Sequence, residues 1–323
     1  LIFIALIVHW KVSYRNLCLA FIAGVSVQAA FGVWQFFAQE VSPSTFLGIA
    51  YHTPETLGAA VVEAIQSRFL RAYGGLPHPN ILGGWIVVAL FVTIFLYSRW
   101  RGDGGGRGHS PYRIVFLSAY ALLVAGLYVT FSRSAWLAYL VVHFLYFGFV
   151  LKSKGKTAMY ECTIILFAVL MAFGIIASQP LLSRLDGAGR LEQKSYNDRV
   201  GTIKESMYII KKHPLFGVGE GVYTYALRER YPTRRAWELQ PVHNVALLIW
   251  SETGIIGIAF FTVLFFGVLY QLYRRRDLFG FLLCIALIVI SLFDHYLWSL
   301  YSGIMLVAFV GAFLICRNWE TPK

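Results

Sequence analysis

Residues 80 to 98 read NILGGWIVVALFVTIFLYS, an unbroken stretch without a charged side chain, and Arg99 and Arg101 follow at once. At about 1.5 Å per residue such a run reaches roughly 28 Å, close to the hydrocarbon thickness of a bilayer. It lacks the alternation that a barrel strand needs between a lipid face and a lumen face. Backbone groups inside lipid must find their hydrogen bonds within the segment, so the stretch predicts a membrane-spanning helix.

Blocks of the same kind recur outward from it in both directions. They place spans near residues 1–9 (partial), 17–37, 80–98, 114–131, 134–151, 158–178, 243–272, 278–293 and 297–316. The expected fold class is all-α, a polytopic transmembrane helical bundle of about eight or nine spans forming a single integral membrane domain over 1–323. A composition of 58% hydrophobic and 14% charged residues, with mean hydropathy +0.63, excludes a water-soluble domain of this size. The opening LIFIALIVHW has neither a starting Met nor the charged start of a signal peptide. It reads as the last half of a span already under way, in a chain truncated at its N-terminus. Cys18, Cys162, Cys284 and Cys316 stand alone in apolar blocks without metal-type spacing, which predicts small buried residues instead of a disulfide framework or a zinc site.

Charge then orients the bundle. Short basic connections hold Lys11 and Arg15; Arg99, Arg101, Arg107 and Arg113; Lys152, Lys154 and Lys156; and Arg274, Arg275 and Arg276. They occupy every second connection, as cytoplasmic loops do under the positive-inside rule, and Arg317 and Lys323 put the C-terminus on that side. The remaining connections are therefore expected outside: a loop at 38–79, a tight turn at Arg133, a long loop at 179–242 and a turn at Asp294-His295. The net charge of +12 is spread between spans instead of gathered on one domain, which points to membrane topology and anionic lipid and away from nucleic acid.

Within the loops, Thr53-Pro54-Glu55 predicts a helix start, and ETLGAAVVEAIQSRFL (55–70) a helix lying along the membrane surface. In the long loop, Asn197 or Asp198 caps an expected helix with Val200, Ile203, Met207 and Ile210 on one face, ended by His213-Pro214; Arg199 would sit in its first turn. Gly102 to Gly108 reads as a flexible cytoplasmic linker.

The unusual polar clusters all fall on the expected external side. Arg133, in TFSRSAWL (130–137), is a charge at a depth where it must be paired, hold a ligand or snorkel to lipid phosphate. Arg199, in NDRVGTIKES (197–206), has a guanidinium fork suited to a pyrophosphate, with exposed helix N–H groups adding to the attraction; an ion pair with Asp198 or Glu205 is the plainer alternative. The segment HPLFGVGEGVY (213–223) has the glycines of a close backbone turn. In PVHNVALLIWSETGIIG (241–257), His243 and Asn244 stand at the mouth of a long apolar helix. A histidine there can take a proton from a sugar hydroxyl near neutral pH, or simply cap the helix.

His243-Asn244, nine residues, Gly254, two residues and Gly257 is similar to the H-N-x9-G-x-x-G signature of the O-antigen ligase and polymerase family of lipid-linked glycan transferases. HPLFGVGEG and TFSRSAWL resemble that family's other landmarks in the same order, and RAYGGLPHPN (71–80) resembles its R-x-x-G…P-N element, so the likeness spans residues 70 to 300. It implies an inverting transfer of a glycan from undecaprenyl pyrophosphate to the hydroxyl of a lipid, wall or protein acceptor. No cofactor and no metal are implied. The setting would be a multi-pass protein of the bacterial inner membrane, with membrane lipid around it and its site on the periplasmic face. By position, His243 would be the activating base, Arg133 and Arg199 would hold the pyrophosphate, and Arg71 would assist. Asn244, and Asp294 and His295 in SLFDHYLW (291–298), would support them; an interfacial ion pair or a helix cap is the alternative for the last two.

Three function classes compete on the sequence. A lipid-linked glycan transferase covers ligation and, as the alternative, polymerisation. A transporter is the second class, since charges within spans also mark ion pathways, although no paired broken helices or polar stripe are visible. The third is a metal-dependent glycosyltransferase using Asp294, His243 and Glu238, for which no carboxylate pair has metal spacing.

Overall fold

The computed structural model describes residues 7, 9–46, 48–64, 67–102, 111–151, 156–186 and 189–320. The protein is a polytopic helical membrane protein. Among the described residues six helices are long and apolar enough to cross a membrane, and two shorter apolar helices follow near the C-terminus. The expected partial span over 1–9, the linker at 102–108 and the basic positions Arg107, Lys152, Lys154 and Lys323 fall wholly or largely outside the described residues. The chain divides into two compact units, residues 1–191 with 308–323, and residues 192–307.

The first unit holds α1 (Tyr14–Ala38), a hairpin of β1 (Val61–Glu63) and β2 (Arg68–Leu70), α2 (Pro79–Gly102), α3 (Pro111–Val129), α4 (Arg133–Val150), α5 (Lys156–Ile176) and α6 (Ser178–Asp186). The apolar run quoted first becomes its centre: 94% of the α2 window is buried, against α1, α3, α4 and α5. Small residues let these helices approach closely, as lipid-embedded helices require when no hydrophobic drive separates lipid from Leu. A methyl group on Gly126 would meet Ala29 of α1 at 2.6 Å, and one on Gly83 would meet Ala135 of α4 at 2.8 Å. In contrast only 17% of the α5 window is buried, and Ile164 and Met171 face outward as lipid-facing side chains do.

Charges inside the bundle are neutralised in place. Glu161 of α5 accepts from Tyr97, from Arg101 at 2.7 Å and from Arg113 at 3.1 Å. Buried His143 of α4 is satisfied at both ring nitrogens, by the Tyr139 hydroxyl at 2.9 Å and the Thr163 hydroxyl at 3.1 Å. The four cysteines are buried and free, as expected.

The surface helix expected over 55–70 does not form. Thr53 to Ala59 makes turns, with Thr56 N donating to Thr53 O at 3.1 Å and Ala59 N to Thr56 O at 3.1 Å, and β1 pairs antiparallel with β2 in the register Val62–Phe69. The run Val61-Val62 and Phe69 favours a pleated, half-buried surface, and burial of Val61 and Leu70 with Val41 and Tyr73 outweighs the helical spacing.

The second unit holds α7 (Arg190–Lys212, its first two residues belonging to the first unit), α8 (Tyr223–Arg230), a 3-10 turn at Ala236–Glu238, α9 (Val245–Arg274), α10 (Leu278–Ser291), α11 (Tyr296–Ser299) and the start of α12 (Tyr301–Glu320). Its small core joins Ile209 of α7, Tyr223 and Leu227 of α8, Leu239, Val242 and Leu248. The last span expected over 297–316 is preceded by the separate turn α11, and α12 begins at Tyr301. Helix α9 is 11% buried over its apolar window, so most of its surface is suited to lipid.

Candidate functional site

Helix α9 is not the uninterrupted helix its apolar pattern predicts. It breaks at Gly254, whose φ of 67° and ψ of −169° are open essentially to glycine alone. The broken ladder is refilled by HPLFGVGEG. Val218 N donates to Ser251 O at 3.0 Å and Gly219 N to Glu252 O at 2.9 Å, while Ile255 N donates to Pro214 O at 2.9 Å. A methyl on Gly254 would lie 2.1 Å from Leu215 O, and one on Gly217 would lie 2.3 Å from the Glu252 carbonyl carbon. Two sequence motifs that looked separate are thus one backbone-to-backbone joint.

Buried Glu252 stands at this joint. Its carboxylate accepts from the Trp298 indole at 2.8 Å and from the backbone N–H groups of Gly221 and Tyr223. It ties α9, α11 and the glycine segment together. Sequence reasoning missed Glu252 and Trp298, because their partners are 31 and 46 positions away in the chain for a residue that sits in an apolar run. The nearest available signal was the carboxylate itself, an ionisable group at span depth.

Asn244 caps α9: its side-chain oxygen accepts from Leu247 N at 2.9 Å, and its amide donates to Leu292 O at 3.2 Å at the end of α10. This locks His243, one residue before the cap, beside the α10–α11 turn. The His243 and His295 rings meet edge to face, centroids 5.3 Å apart. Buried Asp294 accepts from His295 N at 2.8 Å, and His295 Nδ1 pairs with the Ser299 hydroxyl at 2.6 Å. His243 Nδ1 is buried with no hydrogen-bond partner.

Arg199 acts on the His243 imidazole through its charge. Burial lowers the His243 pKa from its ordinary 6.5; Asp294 acts to raise it, Arg199 lowers it further and Asp198 raises it. Burial likewise lowers His295, with Asp294 opposing and His243 reinforcing. A lowered pKa leaves the imidazole neutral at physiological pH, the form that can accept a proton. Arg199 is half-buried on α7, and Ser206 of that helix pairs with Ser251 of α9 at 2.9 Å.

One expectation for Arg199 needs correction. Helix α7 begins at Arg190, so Arg199 lies inside it and not in its first turn. Asn197 and Asp198 are exposed mid-helix residues, and interior N–H groups are consumed by the helix ladder, leaving no exposed N–H groups at Arg199 for an anion. Glu238, weighed as a metal ligand, accepts from Arg235 N at 2.7 Å and caps the 3-10 turn. Among the described residues no group of three or more His, Cys, Asp or Glu side chains is placed to hold a metal ion.

In the first unit, Arg71 bonds to the turn that precedes Arg133. Arg71 is buried; its Nε donates to Thr130 O at 2.7 Å and a terminal nitrogen to Asn80 Oδ1 at 2.6 Å. Gln35 of α1 fixes the segment from behind, accepting from Tyr73 N and Gly74 N and donating to Gly74 O. Phe131 takes a φ of 47°, and Arg184 of α6 donates to its carbonyl at 3.1 Å. Arg133 is exposed at the first turn of α4. Gln35 and Arg184 are further residues that sequence reasoning missed, since nothing local distinguishes them.

The O-antigen ligase family model matches residues 118–262, a stretch that contains Arg133, Arg199, His243 and Asn244. An O-antigen ligase of Salmonella typhimurium strain LT2 is 26% identical to the chain over 215 residues, which are 64% of this chain and 49% of that protein. The chain therefore spans about half the length of the curated relative it matches. No solved structure matches it. The resemblance drawn from the motifs is borne out by both matches.

Proposed function

With the O-antigen ligase family match over residues 118–262 as premise, we propose that the chain is an inverting glycosyltransferase that moves a glycan from undecaprenyl pyrophosphate to an acceptor hydroxyl. The acceptor oxygen loses its proton to His243 and attacks the anomeric carbon, and the bond to the pyrophosphate breaks with its electron pair leaving on the phosphate oxygen. Arg199 stabilises the charge that develops there without giving up a proton itself. Asn244, Asp294 and His295 hold the base in place; for Arg133 and Arg71, which lie in the first unit, a phosphate contact is carried over from the sequence resemblance alone. The observation that carries it is the cluster of His243, Asp294, His295 and Arg199, where burial keeps the imidazole neutral and ready to accept a proton.

The alternation of basic connections supports an inner-membrane location with this cluster on the periplasmic side and the C-terminus in the cytoplasm. A polymerase of the same family would use a second lipid-linked chain as acceptor, and the chemistry at His243 would be unchanged.

The test is transfer by purified protein supplied with a pyrophosphate-linked glycan donor and, in separate reactions, lipid, wall, protein and lipid-linked acceptors. His243→Ala should reduce turnover by about a hundredfold or more while membrane insertion is unaffected, the scale of a lost general base. Near-normal turnover in that variant removes the assignment.

A further inference from the structure

Four arginines lie close together in RERYPTRRAWE, residues 228–238, on the end of α8 and the following turn. Of these four, with respect to the described residues, Arg234 alone is joined to a carboxylate, Glu205 at 2.5 Å. Arg228, Arg230 and Arg235 are exposed. Their positions are nevertheless held. Arg230 stacks on the Tyr208 ring, 3.3 Å from its centroid, and its Nε donates to the Tyr231 hydroxyl at 2.9 Å. Arg228 donates to Arg234 O at 2.6 Å, and Arg235 lies over the Trp237 ring at 5.2 Å. Guanidinium groups fixed by stacking lose less freedom when they meet a ligand, and their outward N–H edges match the oxygens of a phosphate or carboxylate. Trp237 is 65% exposed and offers a broad apolar ring face of the kind that packs on sugar C–H groups.

We propose that this arginine–aromatic surface, Arg228, Arg230, Arg235 and Trp237, binds the acceptor saccharide and selects one bearing a phosphate or carboxylate group. The inference rests on the reading of His243 as the base for an acceptor hydroxyl. Tyr231 packs on the core that includes Leu239 and Val242, and Val242 precedes His243, so the surface and the base share one rigid support. The neighbouring Glu229 and Glu238 are exposed, and these two carboxylates repel an anionic bilayer. The same anionic group could come from the donor's own glycan, and the test separates the two.

The full chain is placed in nanodiscs of phosphatidylcholine and titrated with a phosphomonoester-bearing oligosaccharide and with its phosphatase-treated form. Binding is expected for the first and about tenfold weaker binding for the second, with a similar loss for Arg230→Gln/Arg235→Gln toward the phosphorylated form alone, as removal of charge-assisted contacts predicts. Binding is read without donor, which keeps this result separate from any failure of the transfer reaction. Equal affinity for both oligosaccharides, no binding of either, or an unaltered double variant overturns the proposal. So does binding that persists for the oligosaccharide but is displaced by donor glycan, which assigns the surface to the donor, and so does loss of affinity only toward phosphatidylglycerol vesicles, which assigns it to lipid.

Discussion

At the residue scale the proposed transfer depends on one proton position. As a base His243 would act only when neutral, and burial, which disfavours the charged ring, lowers its pKa from 6.5. The acid limb of the pH–rate profile for transfer is therefore expected below pH 6.5, with activity retained as pH rises through it. Arg199 lowers the His243 pKa and Asp294 raises it, so the two variants should move the limb in opposite directions: Arg199→Gln upward, Asp294→Asn downward. Profiles at saturating donor read the position of the limb apart from its height, and a shift of the same sign in both variants would contradict the assignment. Arg133→Lys should lose substantial turnover despite keeping its charge, because lysine lacks the planar fork that bridges two oxygens. His243, Asn244 and Asp294 were legible in the sequence because each is a polar residue at the end of an apolar block. The unpartnered Nδ1 of His243 and the Glu252 contacts were not, since they are set by partners remote in the chain.

Among the elements, the spans were the easiest to read. Lipid asks only for a continuous apolar run, and the expected blocks at 80–98 and 278–293 became α2 and α10 with ends displaced by a few residues. The β1–β2 hairpin was hidden, because three-residue strands leave too little pattern to compete with helical spacing. The break in α9 was hidden for another reason: one glycine in an apolar helix is usually tolerated, and what forces this one out of the helix is the segment at 214–219. Gly254→Ala is expected to destabilise the second unit by about 2 kcal/mol or more, from a glycine-only backbone conformation and a steric clash with Leu215 O. Gly217→Ala should act in the same direction through the Glu252 backbone, whereas Gly201→Ala, with nothing within 4 Å of the added methyl, should be harmless. Thermal unfolding in detergent or limited proteolysis of the 213–223 segment measures all three.

Across the whole molecule, several of the described polar groups within or beside the spans are engaged by the protein itself. Glu161 holds Arg101 and Arg113, His143 is bonded at both nitrogens, and the carbonyls of Ser251 and Glu252 at the α9 break accept from Val218 and Gly219. A transporter leaves such groups available to its cargo. Ion flux through protein-containing liposomes is accordingly expected at background under conditions where donor is consumed, and robust flux without donor consumption would favour the transport class. The joint at Gly254 also bears on biogenesis. A ribosome releasing this chain delivers residues 214–219 before the second half of α9, so the segment that completes the interrupted helix is already outside the exit tunnel when the break emerges. The partner that closes the interrupted ladder of α9 is therefore at hand as soon as the break emerges.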